Sequence, residues 1–179
     1  MHKTILGIDP GTRYMGYAAI RGKNLLDFGV HTLRNGAHPH DVIGQARTKV
    51  LALIRQHGVQ VVAIEEPLML PTKRAARLSV IVEEMTARSA DLGLTVREIS
   101  PQEVRRVMTG NPRANKFEVA QSLVAGGFEQ LRPLVPPKPP HPTLGWNPKD
   151  KYWLHMFDGL ALAVASQGRG GSQPTRPPS

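Results

Sequence analysis

The chain contains no cysteine. That excludes a disulfide framework and a thiolate metal site, so any metal must be held by oxygen and imidazole ligands. Long apolar runs are also missing. Nowhere does the chain supply the roughly 18 consecutive apolar residues a membrane span needs, and no charged-then-apolar leader with a cleavage site is seen. A cytoplasmic protein is therefore expected, with neither membrane insertion nor secretion. Aromatics make up only 5%, and 14 acids face 23 lysines and arginines, a net charge of +9. The excess of base points to a polyanionic partner such as nucleic acid, although charge alone is weak ground. What is present is ordinary in amount: 179 residues, 40% apolar, enough for one domain with a real core.

Residues 3–9 read as a strand, the Pro10-Gly11 turn follows, and 14–20 and 25–33 are two more strands joined by a turn at 21–23. Two tight connections in succession imply an antiparallel meander. Residues 40–57 carry Val42, Ile43, Ala46, Val50, Leu51 and Ile54 at helical spacing, and Gly58 stops them. Residues 59–65 form a nearly continuous apolar strand, the pattern of one buried on both faces. A helix over 72–92 and a strand over 94–99 come next. Ser100-Pro101-Gln102-Glu103 then opens a helix with a capping box and proline at the first helical position, and Gly110 closes it. A short helix is expected over 115–125 and a final one over 151–166. Between them, 133–148 holds seven of the sixteen prolines and is expected to be irregular. Residues 168–179 are a Gly/Pro/Ser/Arg tail expected to be disordered. The order βββαβαβααα is that of an α/β fold, a mixed sheet covered by helices.

Acids occupy places in this pattern that ought to be apolar. Asp9 ends the first strand in ILGIDPG, Glu65 ends the fourth in VVAIEEP, and His155 and Asp158 lie on the final apolar helix in HMFDGLALA. On the first strand Ile5, Gly7 and Asp9 share a face, because side chains alternate. Gly7 there leaves room for a ligand or a backbone approach. The first and fourth strands are expected to be neighbours near the centre of the sheet, which would bring Asp9 and Glu65 together although 56 positions separate them. His155 and Asp158, three apart, share a helix face. Taken singly each has a plainer explanation: turn chemistry for Asp9, a solvated strand exit for Glu65, a surface pair for His155 and Asp158. Together they form a set that is costly to bury unless cations compensate it. Three carboxylates and an imidazole suit Mg²⁺ or Mn²⁺, the nitrogen favouring Mn²⁺. Two such ions per site would serve an in-line displacement at phosphorus.

Those stretches, read together, make the chain resemble the RuvC-type Holliday-junction resolvases of the ribonuclease H-like superfamily, over most of residues 3–166. ILGIDPGTRYMGY resembles the family's first motif, VAIEE its second and HMFDGLALA its last. The resemblance implies a ribonuclease H-like five-stranded mixed sheet flanked by helices, with a nuclease domain over 1–167. It implies that Asp9, Glu65, His155 and Asp158 are the catalytic metal ligands. VRRVMTG and ANKFEV are similar to a segment bearing two basic residues near the scissile phosphate, which makes Arg105 a DNA contact and Lys116 a DNA contact and catalytic group. At a helix start, Lys116 also has backbone N–H groups and the dipole beside it to favour phosphate. A twofold homodimer acting on four-way DNA junctions, paired nicks in recombination and repair, and 5′-phosphate products are implied as well. The helix after Glu65, with Leu78, Ile81, Val82 and Met85, is the expected dimer contact.

The chain departs from the family pattern twice. Where an aromatic often inserts at the junction centre, this chain has Leu68, followed by Met69; leucine can wedge between bases but cannot stack on them. These two are expected DNA contacts, and the change widens the expected substrate to other branched DNA. The second departure is the insertion over 133–148, leading into Trp146, Tyr152, Trp153 and Phe157. Those four of the nine aromatics are expected to pack on the core rather than on DNA. Three alternatives remain. A related structured-RNA nuclease of pre-ribosomal RNA processing shares the GIDPGTR motif but not AIE. A non-catalytic junction-binding protein would keep the fold without the chemistry. An actin-like or sugar-kinase-like ATPase shares Asp-x-Gly-Thr, but needs a second such loop and a longer chain.

Overall fold

The computed structural model describes residues 2–34, 39–67, 70–138 and 147–168. Leu68, Met69, Trp146 and the tail from 169 onward lie outside these residues, as does the middle of the proline-rich stretch. The strands are β1 (Thr4–Asp9), β2 (Tyr14–Arg21), β3 (Asn24–Thr32), β4 (Val61–Glu65) and β5 (Thr95–Ile99). The helices are α1 (Pro39–His57), α2 (Lys73–Asp91), α3 (Pro101–Thr109), α4 (Lys116–Ala125) and α5 (Pro148–Gln167). One sheet runs β3-β2-β1-β4-β5, antiparallel through the meander and parallel from β1 to β4 to β5. The expected mixed five-stranded sheet flanked by helices is what forms.

The sheet is a layer between two apolar cores. On one face Leu6, Ile8, Val62 and Ile64 meet Val50, Leu53 and Ile54 of α1 and Ile81, Val82 and Met85 of α2. On the other, Ile5, Ala18, Val61 and Ala63 meet α3, α4 and above all α5. Burying the branched side chains on both sides supplies the main driving force for the central strands.

Three points differ from the sequence expectation. Ile81, Val82 and Met85 are 2%, 1% and 2% exposed, so they complete the monomer core and are not an outward dimer contact. Of the four residues expected there, only Leu78 keeps part of its surface, and its neighbour Val80 is exposed. The proline-rich stretch is shorter than 133–148, because a 3₁₀ helix spans Glu129–Leu134 and α5 already begins at Pro148. Pro148 suits the first turn of α5, where no helix N–H is required, and Asn147 caps that helix by accepting from the Lys149 and Asp150 N–H groups; Pro133 lies inside the 3₁₀ helix. The third point concerns caps. Ser100 accepts from the Glu103 N–H at 3.3 Å as expected, while a full reciprocal capping box forms at Asn115 and Glu118, opening α4.

Candidate active site

α5 lies closer to the sheet than side chains would ordinarily permit, and glycine is the reason. A Cβ at Gly7 would sit 1.9 Å from the Gly159 carbonyl oxygen, and one at Gly16 would sit 1.8 Å from that of His155. The room left beside Gly7 is thus taken by helix backbone. Three ties hold α5 in place along its length. The Tyr152 hydroxyl donates to the Val30 carbonyl at 3.1 Å, Gln167 Nε2 donates to the Gly22 carbonyl at 2.6 Å, and the Arg97 guanidinium donates to the Ser166 carbonyl.

This close packing sets His155 and Asp158 over the end of β1. The imidazole Nδ1 is 2.7 Å from Asp9 Oδ2. One ligand atom each from Asp9, His155 and Asp158 lie within 4.8 Å of one another, a group able to hold a metal ion. Glu65 enters from the neighbouring strand: Ile8 pairs with Ile64 in the parallel register, so one step further Asp9 and Glu65 end adjoining strands. Asp9 is only 7% exposed.

The electrostatics are those of crowded acids with one directly paired cation, Lys116, and a second, Arg105, nearby. Burial pushes the Glu65 carboxyl up to about 7, with the Asp9 and Asp158 carboxylates adding to it and Lys116 and Arg105 opposing. Burial likewise pushes Asp158 up to about 6, and Asp9 adds to the rise while Lys116 and His155 oppose it. The Lys116 ammonium pairs with Asp158 Oδ2. Desolvation works against its charge, but Asp158, Asp9 and Glu65 more than reverse this and hold the lysine above its ordinary range. Carboxylates assembled this tightly favour an added cation over ionising beside one another.

Arg105 and Lys116 line a narrow cleft with Glu65 and Asp158. Of the two adjacent arginines on α3, Arg105 is the one that turns inward, while Arg106 is exposed. Leu68 and Met69, the expected DNA contacts, lie outside the described residues. Phe157 is fully buried and Trp153 packs against the α5-side core, so these two aromatics are packing residues as expected.

Sequence reasoning passed over Tyr14. Its ring lies 5.8 Å from the His155 ring and 5.7 Å from that of Tyr152, with the Arg13 guanidinium 5.3 Å over its face. The signal was available in alternation: Tyr14 precedes Gly16 by two on one strand face, and Gly16 is where α5 touches down.

An antiparallel meander on one side of β1, with parallel crossovers on the other, is the strand order of the ribonuclease H-like class. Within that class the chain belongs to the RuvC family: the family described as "Crossover junction endodeoxyribonuclease RuvC" matches residues 5–126. A relative of that name from Pelodictyon phaeoclathratiforme is 28% identical over 174 residues, covering 94% of this chain and 82% of the relative. Another from Chlorobaculum parvum is 30% identical over 174 residues, covering 94% and 83%. Among solved structures, Thermus thermophilus RuvC in complex with Holliday junction substrate aligns with a TM-score of 0.67 at 21% identity, over 92% of each chain; at that identity the likeness speaks for the fold. Among the described residues no helix is long and apolar enough to cross a membrane.

Proposed function

We propose that this protein is a metal-dependent endonuclease that resolves Holliday junctions and related branched DNA by paired phosphodiester nicks, in DNA recombination and repair. The observation that carries the reading is the convergence of Asp9, His155 and Asp158 on one point, in a chain of the RuvC family. Family membership favours junction DNA over structured RNA. The donor set fits a hard divalent cation, since two carboxylates and an imidazole converge, Glu65 stands alongside, and a lysine ammonium already engages Asp158. Asp9, Glu65, His155 and Asp158 would hold two Mg²⁺ or Mn²⁺ ions. Bound there, the ions would supply Lewis acidity for water attack and for stabilising the departing oxygen.

The chain's own residues do the rest. The α5 contacts hold His155 and Asp158 rigidly over β1, so the ligand geometry is set before substrate arrives. Lys116, at the first turn of α4, offers positive charge and neighbouring backbone N–H groups to the scissile phosphate and to the charge that develops on it. Arg105 adds a second phosphate contact from α3, and Leu68 and Met69 would wedge at the branch point. Two copies related by a twofold axis would place two such sites on opposite arms, meeting through the outer face of α2 around Val80. The reading makes residues 1–167 one nuclease domain, acting on DNA in the cytoplasm.

The test is a nicking assay on a four-way DNA junction, a linear duplex and a structured RNA, in Mg²⁺ and in Mn²⁺. Wild type should nick the junction and Asp9→Asn should not. Equal activity of the two proteins would remove the proposed site, preference for RNA would move the substrate, and tight junction binding without nicking would leave a binding module.

A further inference from the structure

The single imidazole of the acid cluster is held by a chain of aromatic rings that the proposed chemistry does not otherwise use. Because Gly16 lets the His155 carbonyl close on β2, Tyr14, on the same strand face, is brought alongside the imidazole. Their centroids are 5.8 Å apart and their planes tilted by 36°. One helical turn before His155, Tyr152 meets Tyr14 edge-on at 5.7 Å and 83°. Tyr152 is itself fixed by its hydroxyl on the Val30 carbonyl, and Trp153 stands edge-on to it at 5.3 Å. Arg13 lies over the Tyr14 ring. Neither Tyr14 nor Tyr152 belongs to either apolar core, so filling the interior does not account for them.

We propose that Tyr14 is a positioning residue for His155. With Tyr152 behind it and Arg13 over its face, it limits rotation of the imidazole and thereby fixes how that nitrogen donor is presented to a divalent ion held with Asp9 and Asp158. The inference rests on reading the cluster as a metal centre. The terminal torsion of histidine is broad, so rotamer preference alone does not orient the ring. Ligating imidazoles depend on outer partners for that. The hydrogen bond to Asp9 orients one edge, but a carboxylate engaged with a cation has less to offer the imidazole. The ring contact with Tyr14 is independent of the ion. Since a nitrogen donor favours Mn²⁺ over Mg²⁺, the aromatic chain should bias the site toward Mn²⁺.

The test uses the full chain with Mn²⁺ added, read by pulsed electron paramagnetic resonance for nitrogen coupling to the ion and by calorimetry for affinity. Wild type and Tyr14→Phe should show the coupling, whereas Tyr14→Ala and Tyr14→Leu should weaken or lose it. The latter two should bind Mn²⁺ about tenfold less tightly, with a smaller change for Mg²⁺; leucine keeps apolar bulk and circular dichroism confirms folding. Unchanged coupling and Mn²⁺ affinity in both variants would overturn the proposal. So would failure of both to fold, which would make Tyr14 a folding residue. Wild type that binds Mn²⁺ without nitrogen coupling would overturn the role of His155 as a ligand, and wild type that binds no Mn²⁺ would overturn the metal centre itself, so those failures are distinguishable from failure of the Tyr14 inference alone.

Discussion

The two faces of the sheet are covered by helices in opposite ways. Facing α1 and α2, the strands present Leu6, Ile8, Val62 and Ile64, and branched side chains keep helix and sheet backbones apart. Facing α5, they present Gly7, Gly16, Ala18 and Ala63, and the backbones nearly touch. Polar groups follow the same division. On the α1 side Asp27 is balanced, taking His57 Nε2 at 3.0 Å and the Tyr17 hydroxyl at 3.5 Å; burial, then Asp27, pushes that tyrosine up to about 12. On the α5 side the acids outnumber their one lysine partner. The comparison teaches that close backbone approach is what lets a helix bring His155 and Asp158 to a strand end, and that the face so built is left short of positive charge.

The largest effects should come from the unbalanced face. Asp9→Asn should reduce junction nicking by about 10³-fold or more while leaving the fold intact. Lys116→Ala should lower the nicking rate by about 10²-fold, read under single-turnover conditions. Gly16→Ala should cost at least about 3 kcal/mol in denaturant unfolding, because the added methyl meets backbone rather than a movable side chain. That would match what Leu53→Ala, which deletes three heavy atoms, costs on the other face, about 2–5 kcal/mol. A Gly16→Ala protein as stable as wild type would break the comparison.

A pH effect of intermediate size follows from Glu65. Its carboxyl titrates near 7 in the folded chain against an ordinary 4.5. Between those values the native state binds more protons than the unfolded state, so stability falls as pH rises through that window. Asp158, raised to about 6 from 3.8, acts in the same direction over a lower range. Thermal melts of metal-free protein from pH 4.5 to 8 should show a falling Tm, and Mg²⁺ or Mn²⁺ should flatten the slope. The smallest effect belongs to the balanced face: His57→Ala should cost about 1 kcal/mol and leave nicking unchanged.

Much of this was legible in the chain because strong periodicity and strong punctuation coincided. Among the described residues the five strands and the five α-helices are expected from the sequence, the 3₁₀ helix is not, and Gly110, with φ 76°, ends α3 where its backbone requires glycine. Asp9 and Glu65 could be paired across 56 positions because the first and fourth strands read as central apolar strands. Three of the four residues expected at the dimer contact were assigned to the wrong partner, since a helical apolar stripe does not say what covers it; Ile81, Val82 and Met85 are buried in the monomer core. The start of α5 was missed because proline density masked a first-turn proline with an asparagine cap. Tyr14 was missed because its role depends on where α5 lands, and Gly16 signals that only once the helix is in place.

The central claim is that Asp9, Glu65, His155 and Asp158 grip divalent cations as one pocket. Crystals grown with Mn²⁺ and measured at the manganese absorption edge test it directly. The account predicts anomalous density among those four side chains in wild type, and its loss in Asp9→Asn. Fully occupied manganese elsewhere on the protein, with none among these residues, would contradict it.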